Sequence, residues 1–465
     1  MFDQTVEVIK INKLKKLVKK ALAWNTFESL CYQSLFLCHQ AALFLVLDRS
    51  LYGMYGALFA FLFLTITILN GSLDLTLVPL FSTITQTKKS FSHFIFTYLF
   101  TQTVFMWCAS FSFGALFLYA IPTPKLLKPF ITLSWISLLS TFIASEGTKK
   151  NIRALLHLAF KNKATAFIEV SDITLYVVSV WLLHFFGLPF SMKLLVIPFV
   201  IVSLFATTIL MWQLYCFYKT LPYTTNQSTP SISRSLWKNR SILYLNQLSC
   251  AFFSGNFLLP FFASYAGFRQ TGMAAFINTI AFTVASFMRR VFAPSGAALF
   301  AQTKTMSQAS KKNAFSFFSQ KYLYVLVSLL ALFLINGHNF LSLKIGKQSL
   351  QTWTLIYIFF LIHFLDNMFI IYDKLFAAEE KSHYSLICNV SSFIGCVIVA
   401  YYTLSSLPII IFLLCILLRL FAFFVLTVLA KKMGHFSFKW QNSFFKLAVP
   451  VGFSLFIFIL FQIFF

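Results

Sequence analysis

The chain has 465 residues, of which 59% are hydrophobic and only 11% charged, and its mean hydropathy is +0.81. A water-soluble fold of this length cannot hide so much apolar surface, whereas a bilayer solvates it. The net charge of +25 does not indicate nucleic acid, because the cations sit in short gaps beside apolar runs, where anionic lipid headgroups are the natural partners.

Residues 1–24 are the first predicted element. Ile11, Leu14, Val18 and Leu22 alternate with lysines at helical spacing, which predicts a basic amphipathic helix lying on the inner leaflet. No cleavable signal peptide is expected. Thirteen apolar stretches follow, at 25–47, 52–82, 92–121, 129–147, 164–186, 192–216, 240–267, 272–303, 316–335, 350–373, 383–403, 406–430 and 447–465. Most reach the roughly 20 residues that cross a ~30 Å hydrocarbon core. They are expected to be helices, because a helical backbone satisfies its own hydrogen bonds in lipid.

The polar gap from Lys219 to Arg240 is Ser/Thr/Pro-rich and divides the spans into six and seven. The domains read as an N-lobe at 25–216 (spans 1–6), a cytoplasmic linker at 217–239, a C-lobe at 240–430 (spans 7–12), and a basic loop with an additional span at 431–465. The expected fold class is all-α, a polytopic membrane protein with two parallel six-helix lobes and one or two further C-terminal helices. Whether 12, 13 or 14 spans are present is open. Of 37 Lys and Arg, 27 fall in alternate gaps starting from the N-terminus, seven in the other gaps and three inside spans. That bias places the N-terminus in the cytoplasm of a multi-pass protein of the cell inner (plasma) membrane.

The halves look like weak repeats about 215 residues apart. Gln33 precedes the glycine-bearing start of span two (YGMYGALFA), and Gln247 precedes TGMAAFI at 271–277. Six intervening spans is an even number, so such repeats run parallel.

Ionisable residues inside spans mark a cavity, an ion pair or a substrate site. They are Glu28, Asp74, Glu169, Asp172, Arg289, Arg290, Asp366 and Arg419, with Glu146 and Asp373 set aside as too near span ends. Arg289 and Arg290 point ~100° apart on one helix. Either one faces the cavity, where a guanidinium offers bidentate donors to a phosphate, or both serve intra-lobe ion pairs. Glu28 and Asp74 are candidates for a gate closed by a salt bridge to those arginines, or for local pairs. His363 and Asp366 share a helix face, as a proton or cation site needs, but Arg419 is an alternative partner for Asp366. Glu169 and Asp172 also share a face. Gln33, Gln40, Asn70, Asn256 and Asn278 are suited to sugar hydroxyls or to bridging helices. All eight cysteines fall in spans without metal-ligand spacing, so neither a metal nor another cofactor is expected. There is no Asp-x-Asp, P-loop or HExxH, so no enzymatic machinery is visible.

DRSLYGMYGALFAFLFLTITILNGSLDLTLVPLF (48–81) and AGFRQTGMAAFINTIAFTVASFMRRVFAPSGAALFAQ (266–302) resemble the second and eighth spans of the multidrug/oligosaccharidyl-lipid/polysaccharide exporter superfamily, in its O-antigen-type flippase branch. The resemblance covers the chain in span order, without the arginine-rich first span of lipid II flippases. It implies that the two six-helix lobes surround a central, V-shaped cavity lined mainly by spans 1, 2, 7 and 8; the protein is expected to be a monomer. The function it implies is flipping a polyprenyl-pyrophosphate-linked oligosaccharide from the cytoplasmic to the outer leaflet. The alternatives are an H⁺- or Na⁺-coupled drug or metabolite antiporter of the same fold, or a membrane glycosyltransferase or polymerase.

Overall fold

The computed structural model describes residues 2–120, 132–223, 232–251, 267–303, 306–345, 372–403 and 408–432, with scattered residues between 256 and 263 and between 360 and 364. The expected span at 447–465, most of that at 350–373, and Asp366 lie outside the described residues. Every regular element among them is helical. Two compact units form, one of residues Ala23–Phe276 and one of Met1–Leu22 with Ile277–Phe465.

Helix α1 (Phe2–Val46) is 45 residues long. At 1.5 Å per residue it measures ~67 Å, more than the ~40–45 Å of a whole bilayer. The amphipathic segment is therefore a continuous prolongation of the first span. Its apolar stripe, Leu14, Val18 and Ala21, is buried against protein, Lys13, Lys16, Lys19 and Lys20 are exposed, and Lys15 stands 5.6 Å from the ring centre of Phe317. This differs from the expected placement on the leaflet, where that stripe would face lipid.

The second span is not one helix. α2 (Arg49–Asn70) stops at Gly71 and α3 (Leu73–Ile84) starts after Ser72, both linking residues being left-handed with φ 54° and 56°. Glycine takes that conformation freely; serine is strained in it. The third span runs through α4 (Lys88–Phe94), a π-helical stretch (Ile95–Phe100) and α5 (Thr101–Ala120). α6 (Leu133–Leu158), α7 (Asn162–Phe185), α8 (Met192–Lys219) and α9 (Ile232–Ala251) follow. α6 packs against α5 and α8, α7 against α8, and α9 against α2 and α3.

α10 (Phe268–Thr303) bends by 42° between Thr283 and Ser286. Its first turns cross the start of α2 with almost no side chain between them. A Cβ on Gly53 would overlap the carbonyl oxygen of Phe268, and one on Gly272 would overlap that of Arg49. One on Gly56 would lie 2.6 Å from the Cβ of Ala275. The contact is reciprocal, each member of a pair standing 219 residues from its counterpart. It joins the two segments whose similarity suggested a repeat. Phe44 stacks on Phe276 beside it, with ring centres 4.2 Å apart. The described helices end with α11 (Gln308–Ile345), α12 (His383–Thr403) and α13 (Pro408–Lys432). Six are long and apolar enough to cross a membrane, seven if the bent pair in α10 counts as one.

Candidate functional site

The buried charges of the first unit gather on three helices. Glu146, Lys149 and Arg153 fall at i, i+3 and i+7 of α6, one face of a helix. Glu169 and Asp172 face them from α7, and Glu28 from α1. Lys149 Nζ lies 2.5 Å from Glu146 Oε1 and 2.7 Å from Asp172 Oδ2. Arg153 pairs with Glu28 and, through Nη1, with Glu169 Oε2 at 3.1 Å. Ser203 of α8 donates to Glu146 Oε1 at 2.7 Å. Arg153 Nε donates to His157 Nε2 at 3.2 Å, and Asn162 links His157 Nδ1 to Asn25 Oδ1 at 2.8 Å each.

Glu28, Glu169 and Asp172 are 1%, 3% and 6% exposed, and Glu146 and Lys149 are 9% and 7%. Among the described residues four carboxylates thus meet two cations, Lys149 and Arg153. Isolated charges in so dry a place cost several kcal/mol each. Counting those described groups alone, two more positive charges make the cluster neutral. Among the described residues no three carboxylate, imidazole or thiolate groups converge as metal ligands would.

A second network surrounds the break in span two. Lys150 Nζ is 3.4 Å from Asp74 Oδ2, Asn70 Nδ2 donates to Asp74 Oδ1 at 3.1 Å, and Asn151 Nδ2 donates to Asn70 Oδ1 at 2.8 Å.

The structure therefore places the expected site residues in three settings. Glu28 and Asp74 are ion-paired within their own unit, to Arg153 and Lys150. Asn70 and Asn278 bridge helices, Asn278 contacting His363 at 2.8 Å. Gln40 likewise joins Tyr52 and Tyr55, at 3.1 and 3.0 Å. Gln33 is buried and Asn256 half-buried. On α10, Arg289 is exposed and Arg290 half-buried. Arg419 lies on α13 with its side chain outside the described residues.

Sequence reasoning missed Lys149, Arg153 and Glu146, which carry the cluster. Ending span four at 147 assigned both cations to a loop, whereas α6 continues to Leu158. The signal was present as the spacing Glu146, Lys149, Arg153 beside Glu169, Asp172.

No family model and no curated protein sequence matches the chain. Solved structures do match its fold. The MATE multidrug transporter DinF-BH superposes with a TM-score of 0.65 at 14% identity, over 92% of this chain and 96% of its own. An outward-facing multidrug resistance MATE family transporter of the MOP superfamily gives 0.64 at 12%, over 90% and 96%. A Vibrio cholerae MATE transporter gives 0.61 at 11%, over 91% and 98%. The chain is a multi-pass, all-α membrane protein with the MATE transporter fold.

Proposed function

We propose that this chain is a proton-coupled transporter that exports an amphiphilic organic compound, positively charged or neutral, across the cell membrane without chemically altering it. One observation carries the coupling ion, the buried cluster of four carboxylates and two cations. Two bound protons neutralise it, and their loss in the other conformation couples a gradient to a change of state. The lack of convergent metal ligands among the described residues favours protons over a coordinated cation. The MATE fold supports the transporter class. The charge bias of the gaps supports a cytoplasmic N-terminus.

The test uses purified protein in liposomes with an imposed pH gradient, a pH dye inside and a cationic fluorescent dye as cargo. Wild type is expected to move dye and protons in opposite directions. Glu169→Gln with Asp172→Asn removes two of the four carboxylates and is expected to cut proton-driven dye movement at least tenfold, at equal reconstitution. Unchanged coupling in that variant refutes the assignment.

A second reading has its own observation. Arg289 stands exposed midway along α10, and an arginine at membrane depth favours a wet, protein-lined path over lipid. With the resemblance at 48–81 and 266–302, this supports flipping of a polyprenyl-pyrophosphate-linked oligosaccharide. The arm that decides is complementation of a strain lacking its O-antigen flippase, with Arg289→Ala as control. Restored surface glycan, lost in that variant, selects the flippase.

A further inference from the structure

The break in span two leaves carbonyl oxygens without helical partners, and side chains from two other helices take them. Arg240 of α9 donates from Nε to Gly71 O at 2.9 Å and from Nη2 to Asn70 O at 3.1 Å. It also bonds Gln102 of α5, whose Nε2 donates to Leu69 O at 2.6 Å. The next turns of α9 add to the grip. Ser72 Oγ donates to Leu243 O at 3.2 Å and bonds Gln247. Ser72 is buried and held left-handed, a conformation that strains residues other than glycine.

An arginine that donates from Nε and Nη2 to another helix's freed carbonyls and to a neighbouring carboxamide is more than an interfacial anchor. It supplies from outside the hydrogen bonds that a broken helix lacks, and so makes the bent form of span two depend on where α9 stands. Movement of α9 by a few ångströms removes both of these donors from the break at once. It leaves Asn70 O and Gly71 O to be satisfied by a rearranged backbone, and relieves Ser72.

We propose that Arg240 is a positioning residue for transport: with Ser72 and Gln247 it forms a latch between α9 and the broken second span, closed in this conformation and opened once per cycle. The latch couples the helix that follows the linker to the kink at Gly71–Ser72. Through Asn70, Asn151 and Lys150 the kink is continuous with α6, the helix carrying Lys149 and Arg153. The charge state of the buried cluster and the state of the latch are thus read by one rigid element. The inference rests on the transporter reading but not on the choice of cargo.

The first experiment is a reversible lock. Ser72→Cys with Gln247→Cys, in a background with the native cysteines replaced, is oxidised in liposomes, and the extent of cross-linking is scored by mass spectrometry. Oxidation is expected to lower transport more than tenfold and reductant to restore it. A fully cross-linked protein that transports at the reduced rate overturns the proposal, because a static clamp tolerates the bond.

The second measurement needs no cargo. Spin labels at the exposed positions Gln86→Cys and Trp237→Cys report the separation of α9 from the end of α3. Two distance populations are expected, the longer one enriched at least threefold by Arg240→Ala. A single distance, unchanged by Arg240→Ala and by an imposed gradient, overturns the latch even if the protein moves no cargo tried. Two populations with no transport keep the latch and reject the cargo instead.

Discussion

Loss of Arg153 is expected to cost the first unit heavily. It stands between Glu28 and Glu169, both buried, with its own side chain 20% exposed. Replacing it by leucine keeps the volume and strands two carboxylates. Breaking a buried pair by removing one partner costs about 3–5 kcal/mol, so Arg153→Leu is expected to lower thermal stability in detergent sharply. Adding Glu169→Gln to that variant should recover a measurable part of the loss, because one stranded charge is gone; a double variant no more stable than the single one contradicts the pairing. The acids here were legible in the sequence and their partners were not. Lys149 and Arg153 look like loop cations when hydropathy is read along the chain, because each charge depresses the local average. What makes their burial affordable is Asp172 and Glu169 on the next helix and Glu28 on the first, and neutralisation across helices has no local signature.

At the level of elements, the apolar runs marked where helices lie but not where they break. The stretch 52–82 is uniformly apolar enough to read as one span, although Asn70, Gly71 and Ser72 interrupt it. The turn there is set by φ 54° and 56° and by Arg240, far along the chain. The crossing of α2 with α10 was nearer to legible, since glycine-bearing segments in corresponding places suggested a repeat. The reason for the glycines emerges only from the contact, where each Cα sits on the other helix's backbone. Gly272→Ala is expected to destabilise the protein by about 1–3 kcal/mol, the usual cost of overpacking. Alanine's better helix propensity, worth roughly 0.5–1 kcal/mol, offsets only part of this. Gly53→Ala should cost a similar amount. The two together should cost less than their sum, because a shift that accommodates one methyl at a reciprocal contact also makes room for the other. Strict additivity in thermal unfolding would show that the two glycines do not face each other.

For the whole molecule, the charge pattern carries the orientation and the fold leaves it to be tested. Leaving out Lys149 and Arg153, which join the buried cluster from α6, 25 of the 27 cations assigned to alternate gaps remain against seven in the others, and the bias stands. The helices supply probes for it. Lys89, just inside α4, and Lys193, just inside α8, are both exposed, and they lie in gaps of opposite assignment. With native cysteines replaced, Lys193→Cys is expected to react in intact cells with a membrane-impermeant maleimide, and Lys89→Cys only after permeabilisation. Equal external labelling of both, or the reverse order, overturns the proposed cytoplasmic N-terminus. The outcome also fixes the physical sense of the buried cluster. Glu28 lies eight residues, about two turns, along α1 from Lys20, so the cluster sits toward the lysine-rich end of that helix. If that end is cytoplasmic, protons leaving the cluster on that side move down the usual inward gradient. With the opposite insertion the cluster would face the side from which protons enter, and antiport driven by the same inward gradient would still run cargo outward.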